Sequence, residues 1–188
     1  MITAETKEKN FSLFFKKLSQ LGIDTERLKS TYGAALFNGS FTNSNEFGNA
    51  YNGSLLEIVL KVLTPYAVKL NDLLPENKRV NKDTLVKICL LHQIAKSIRL
   101  IQNDNSWEIE KRGLVYKYNS ELPSIRCGLH SLIMCQECGI QFTAEEAEAM
   151  TVNDRDLTDD QARWHSSIMA SIVRQANELT YLTINDRK

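Results

Sequence analysis

The stretch that decides the fold is Leu90-Leu91-His92-Gln93-Ile94-Ala95-Lys96, the second half of the most apolar helical run in the chain. Across residues 84–98, apolar side chains leave only a narrow polar edge. Such a pattern predicts a helix that is buried on most of its surface. Because His92 falls inside this pattern, the sequence predicts a central helix that carries a histidine into the core.

A second apolar segment, residues 54–74, precedes this run and is polar only along one stripe. Within it, Pro65 has no N–H to donate to the carbonyl of Lys61, so the helix should kink or divide there. A connection over residues 75–82 then leads into the first run. Two consecutive apolar helices joined in this way are expected to pack antiparallel and to form the core.

Further helices are predicted on both sides of this pair. Residues 1–36 predict two helices, since apolar residues recur at intervals of three and four and a glycine follows each helix. The C-terminal part predicts a short helix and then a longer one over residues 158–181. Each of these begins at a capping box, Thr143 with Glu146 and Thr158 with Gln161.

The segment from Trp107 to Tyr118 alternates apolar and charged residues about a Lys111-Arg112-Gly113 turn. This alternation predicts a small two-stranded hairpin near residues 107–118. Taken together, the patterns predict an all-α bundle of six or seven helices with one small β-hairpin. The length of 188 residues fits a single domain over residues 1–188, with its core in residues 54–153.

Residues 37–53 form an Asn-rich segment between the N-terminal helices and the core. Its Asn, Gly and Ser residues favour turns and side-chain hydrogen bonds to the backbone, so the segment is predicted to be a long loop. Aromatic residues at Phe37, Phe41, Phe47 and Tyr51 can anchor it. Loops of this length in compact domains commonly line a binding site or are disordered.

Charge and composition narrow the possible partners. Lys and Arg number 23, as do Asp and Glu, so the net charge is zero and the electrostatic footprint of a nucleic-acid or membrane-surface protein is missing. No uncharged apolar stretch is long enough for a membrane helix, and charged residues stand where a signal peptide needs an apolar core. We therefore expect a cytoplasmic protein whose four cysteines are reduced.

The order of several motifs resembles the HD-domain metal-dependent phosphohydrolases, and most of all a bacterial and phage-type subgroup of them. The resemblance covers residues 37–153, and it implies the HD-domain fold. The motifs that carry it are Tyr51-Asn52-Gly53-Ser54-Leu55-Leu56-Glu57-Ile58, Leu90-Leu91-His92-Gln93 with Lys96, Trp107, Leu122-Pro123, and Arg126-Cys127-Gly128-Leu129-His130-Ser131.

The family's metal-ligand positions are mostly not kept in this chain. They fall near Gly48 and on Ile58, His92, Gln93, Cys127 or Arg126, and Asn153, so only His92 remains. A divalent metal needs several imidazole and carboxylate ligands at about 2.0–2.2 Å, and one histidine cannot hold it. The resemblance also implies a phosphate-binding role for Lys96, one helical turn after His92.

The leading hypothesis is a catalytically silent HD-fold protein that needs no cofactor. It keeps the pocket of the family as a structural core, as a site for an unknown small molecule or as a surface for a protein partner. The candidate ligand-binding residues are His92, Gln93, Lys96 and Cys127.

Two alternatives remain open. The first is an active metal-dependent phosphohydrolase for nucleotides or related phosphate esters, in which a divalent transition metal binds His92 and displaced ligands such as Cys127, His130 or His165. The second is a zinc-stabilised interaction module. Its ligands would be the Cys-x2-His-x4-Cys-x2-Cys set formed by Cys127, His130, Cys135 and Cys138. Against zinc, these residues fall on a predicted helix, which would separate the first and last cysteines by about 16 Å.

Overall fold

The computed structural model describes residues 2–154 and 166–184. These residues are predominantly α-helical and include one small two-stranded antiparallel sheet, which confirms the predicted all-α class. The helices are α1 Ala4–Gln20, α2 Glu26–Asn38, α3 Ser54–Ile58, α4 Thr64–Leu73, α5 Lys82–Leu91, α6 Lys96–Arg99, α7 Ser106–Arg112, α8 Cys127–Glu137, α9 Ala144–Thr151 and α10 Ile168–Ile184. The strands are β1 Leu100–Gln102 and β2 Tyr116–Tyr118, and 3₁₀ turns cover Asn45–Phe47, Glu76–Lys78 and Val152–Asp154.

The described residues contain more helices than the six or seven predicted, and Pro65 accounts for part of the difference. A π-helical turn, Val59–Leu63, separates α3 from α4, and Pro65 lies in the first turn of α4. The wider turn absorbs the hydrogen bond that Pro65 cannot donate. The predicted division of this helix at Pro65 is therefore confirmed.

Helix α5 lies at the centre of the core. Its N-cap is Asn81, whose side chain accepts a hydrogen bond of 3.0 Å from the backbone N–H of Thr84, and His92 is its C-cap. Helix α5 packs against α4 and α9, and α10 packs against the same two helices. The apolar side chains between them are fully or almost fully buried, namely Leu85, Ile88, Leu90, Leu91 and Ile94.

The hairpin was predicted in the wrong place. Strand β1 precedes Trp107, pairs antiparallel with β2, and sets Leu100 opposite Tyr118. Residues 106–112 form helix α7 because the Asn105 side chain accepts hydrogen bonds from the N–H groups of Trp107 and Glu108. Gly113 ends that helix in the left-handed conformation, with φ of 62°.

Two capping boxes were predicted in the C-terminal part of the chain. The capping box of Thr143 and Glu146 is present at the start of α9, with both reciprocal hydrogen bonds formed. The second box, Thr158 with Gln161, and the start of the helix predicted over residues 158–181 lie outside the described residues. Within the described ranges, no helix combines the length and the apolar character needed to cross a bilayer.

Candidate functional site

A cavity of about 450 Å³ opens where the Asn-rich loop, α6, the sheet, the start of α8 and the end of α10 meet. Its size lies within the roughly 300–1,000 Å³ range of small-molecule sites. The lining residues are Phe41, Thr42, Asn43, Phe47, Lys96, Arg99, Leu100, Tyr118, Cys127 and Tyr181.

The Asn-rich loop forms one wall of this cavity and is held in place by buried hydroxyl groups. The Ser54 hydroxyl oxygen accepts a hydrogen bond of 2.9 Å from the N–H of Phe41. The Ser40 hydroxyl donates to the carbonyl of Thr42 at 2.8 Å. Since these groups are buried with partners, the loop has a defined conformation that fixes Phe41 in the wall.

Lys96 joins the loop to α10. Its Nζ donates to the Phe41 carbonyl at 2.9 Å and to the Tyr181 hydroxyl at 2.6 Å. The ammonium group also lies 3.8 Å from the centroid of the Phe41 ring, a distance at which cation–π attraction contributes. One positive charge is therefore held at the cavity wall by two separate elements.

Arg99 places a second positive charge in the cavity, one helical turn after Lys96. Its Nη1 lies 3.4 Å from Nδ1 of His130. Burial and the Arg99 charge both lower the pKa of His130, which favours its neutral imidazole. In the described part of the chain, neither Lys96 nor Arg99 forms a salt bridge with a carboxylate. The cavity is therefore suited to an anion.

Cys127 is the cysteine that lines the cavity, and its thiol donates to Oε1 of Gln93 at 3.9 Å. Burial raises the pKa of this thiol, and Asp154 acts in the same direction, whereas Lys96 and Arg99 oppose them. The thiol is therefore protonated at neutral pH. At neutral pH it supplies a weak hydrogen-bond donor, and only a small fraction of thiolate is available to react with an added reagent.

His92 and Gln93 lie behind the cavity wall rather than in it. His92 is 0% exposed, and its Nδ1 lies 3.2 Å from the carbonyl oxygen of Ile88. Burial lowers its pKa to about 4, so the imidazole is neutral, and its Nε2 has no hydrogen-bond partner among the described residues. Gln93 is 5% exposed and donates from Nε2 to Oδ1 of Asn177 at 3.3 Å. Of the four candidate ligand-binding residues, Lys96 and Cys127 line the cavity.

The proposed zinc ligands do not converge. Cys127, His130 and Cys135 all belong to α8, and Cys138 caps its C-terminal end, so they are spread along one helix. Among residues 2–154 and 166–184, no three His, Cys, Asp or Glu side chains are grouped to hold a metal ion. His165, the displaced ligand considered for a phosphohydrolase, lies outside the described residues, as does its neighbour Trp164.

Arg99 and Tyr181 are cavity residues that the sequence interpretation missed. Arg99 stands three residues after Lys96, so their shared helical face was a usable signal. Tyr181 had no such signal, because α10 meets α6 only through tertiary packing.

The chain matches no family model, no curated protein and no solved structure. The resemblance to the HD-domain family therefore depends on the sequence motifs alone. What the site does has to be argued from the cavity and its charges.

Chemical labelling can test the accessibility of Cys127. Cys89 and Cys135 are 0% exposed and Cys138 is 8% exposed. Burial also raises the pKa of each of these thiols. We expect a disulfide reagent such as dithionitrobenzoate to modify Cys127 alone in the native protein and all four cysteines in urea. Cys127→Ser should abolish native labelling, and an unchanged rate in that variant would contradict the assignment.

Proposed function

We propose that this chain is a catalytically silent HD-like protein that binds a small anionic ligand in the cavity at Lys96 and Arg99. The observation that carries the proposal is a pair of positive groups that line a largely apolar cavity and form no salt bridge with a carboxylate among the described residues. Charge interactions are stronger in such a partly water-excluded site than on an open surface. An anion that enters the cavity would balance the positive charges of Lys96 and Arg99.

Two features support the absence of catalysis. His92 is buried and neutral, with Nδ1 turned to the Ile88 carbonyl, so it is not placed as a cavity base. At the other family ligand positions, Ile58 is 4% exposed and apolar, and Gln93 is already hydrogen bonded to Asn177. Metal-dependent hydrolysis needs ligands that bind the ion and lower the pKa of its water, and these side chains offer neither negative charge nor an open coordination site.

The HD-like scaffold is part of the same proposal. The apolar helices that carry the family-like motifs form the core, and a small sheet follows the central helix, although Trp107 lies on α7 rather than on a strand. Lys96, whose family counterpart helps to bind phosphate, lines the cavity. The resemblance and the cavity therefore favour the same ligand chemistry, a phosphate or a similar anion.

Calorimetric titration with inorganic phosphate and with AMP at low ionic strength tests the proposal. We expect binding that weakens about ten-fold or more in Arg99→Met, since a charge-assisted hydrogen bond contributes about 1.5–3 kcal/mol. Arg112→Met is the matched control, because Arg112 is exposed on α7 and paired with Glu108. No binding of either probe at millimolar concentration would overturn the proposed anion site.

A second assay tests catalytic silence. The protein is incubated with AMP and Mn²⁺, Co²⁺ or Mg²⁺, and released phosphate is measured. We expect none above a protein-free blank. Release that disappears in His92→Ala but persists in Arg112→Met would instead establish the phosphohydrolase alternative.

A further inference from the structure

Aromatic side chains surround the mouth of the cavity. Phe47 is 37% exposed and Tyr118 is 66% exposed, although both line the cavity. Leaving aromatic surface in water costs about 25 cal/mol for each Å². An apolar ligand surface that covers these two rings at the entrance of the cationic cavity would therefore bind favourably.

These two rings are held at fixed positions rather than carried on free chain ends. Tyr118 is directly opposite Leu100 in the sheet, and Leu100 also lines the cavity. The 3₁₀ turn that carries Phe47 is joined to the end of α7, since the N–H of Asn45 donates to the carbonyl of Gly113 at 2.9 Å. A preorganised aromatic entrance lowers the entropy cost of binding a flat ligand.

The charged side chains that line the cavity match one anionic group. Lys96 and Arg99 lie one turn apart on the same helical face, so both can address a single anionic group. Among the described residues that line the cavity there is no Asp or Glu, and the hydroxyl of Thr42 is already donated to the carbonyl of Gly48. The acceptors left for sugar hydroxyl groups are neutral ones, namely the Asn43 amide and the tyrosine hydroxyls.

We infer that the preferred ligand has a planar apolar body attached directly to one anionic group, as in an aromatic carboxylate or an aryl phosphate. This inference rests on the proposed anion site and names the class of molecule that fills it. The anion binds between Lys96 and Arg99, and the flat body lies against Phe47 and Tyr118. A sugar between the two parts is not required.

Titrations with phenyl phosphate, benzoate, glycerol 3-phosphate, inorganic phosphate and AMP test this inference. We expect phenyl phosphate to bind about ten-fold tighter than glycerol 3-phosphate or inorganic phosphate, because its ring buries apolar surface. Benzoate reports whether a carboxylate replaces the phosphate. Phe47→Ala should reduce the advantage of phenyl phosphate over inorganic phosphate severalfold. Trp107→Ala is the matched control, since Trp107 is 60% exposed but does not line the cavity.

The outcomes separate the two proposals. Equal binding of phenyl phosphate and inorganic phosphate, or AMP binding that is much tighter than both, would overturn the aromatic-acid inference and leave the anion site standing. A ring advantage that survives Phe47→Ala and Tyr118→Ser together would also overturn it. Failure of every probe to bind would overturn the anion site and this inference with it.

Discussion

Acidification from pH 6.5 to pH 4 is expected to lower the free energy of unfolding by about 3 kcal/mol through His92 alone, at 1.36 kcal/mol per pKa unit. Burial, with a smaller contribution from the Lys96 charge, lowers the pKa of His92 from 6.5 to about 4 in the folded protein. Hydrogen bonds to the carbonyls of Ile88 and Cys89 oppose that shift without cancelling it.

The direction of this effect follows from proton uptake. Between pH 6.5 and pH 4 the unfolded chain binds a proton at His92 and the folded chain does not, so stability falls as the pH falls. Above pH 6.5 the imidazole is neutral in both states and contributes no pH dependence. Below pH 4 it is charged in both states, and the loss stops growing.

Urea unfolding at pH 7 and at pH 4.5 measures this loss in the wild type and in His92→Gln. The glutamine amide can still donate to the Ile88 carbonyl, but it does not titrate. The variant should lose about 2–3 kcal/mol less than the wild type between the two pH values, whatever its stability at pH 7. His130→Gln is measured alongside, because burial and the Arg99 charge also lower the pKa of His130, and its own contribution to the loss is thereby separated from that of His92. Identical losses in the wild type and in His92→Gln would contradict a buried neutral His92.

The sequence predicts the core of this fold well because burial leaves a periodic pattern. Leu90 and Ile94 belong to a run whose apolar residues surround the helix, and both are buried. His92 follows the same rule, and its burial was predicted from its neighbours. The effect of Pro65 was equally predictable, since a missing N–H directly changes helix geometry.

The hairpin shows where pattern analysis fails. Over residues 106–112 the alternation of apolar Trp107 and Ile109 with charged neighbours is too short to separate a strand from about two turns of helix. The better signal was Asn105, a preferred N-cap residue. Here local capping determined the structure and the apparent period of two did not.

The cavity could be predicted only in part. Lys96 and Cys127 were singled out, and both line it. The family-like motif, however, also predicted His92 and Gln93 as ligand-binding residues, and both lie behind the cavity wall. The positive charges that line the cavity belong to Lys96, one helical turn after His92, and to Arg99. Because Phe41 and Tyr181 reach the cavity from distant parts of the chain, no local pattern could have brought them together with Lys96.

The Lys96 ammonium group is expected to couple the Asn-rich loop to α10, so that Lys96→Met lowers the free energy of unfolding by about 1–3 kcal/mol. Methionine keeps most of the apolar stem but leaves the Phe41 carbonyl, in a fully buried residue, without its donor. It also removes the hydrogen bond to Tyr181 and the cation–π contact with Phe41. Lys61→Met should change stability by less than about 0.5 kcal/mol, because Lys61 forms a surface pair with Glu57.

A double-mutant cycle with Tyr181→Phe isolates the part of this effect that reaches α10. Tyr181→Phe removes only the hydroxyl that Lys96 contacts, so its cost should largely vanish when Lys96 is already methionine, and the two changes should be non-additive by about 0.5–1.5 kcal/mol. Hydrogen exchange provides an independent readout, since Lys96→Met should reduce amide protection both in residues 40–54 and at the C-terminal end of α10. Additive stability changes together with unchanged exchange in the loop would show that Lys96 is merely a solvated side chain. Coupling would mean that an anion bound at Lys96 affects the loop and α10 together. The reason is that the anion, the Phe41 carbonyl and the Tyr181 hydroxyl would all contact the same ammonium group.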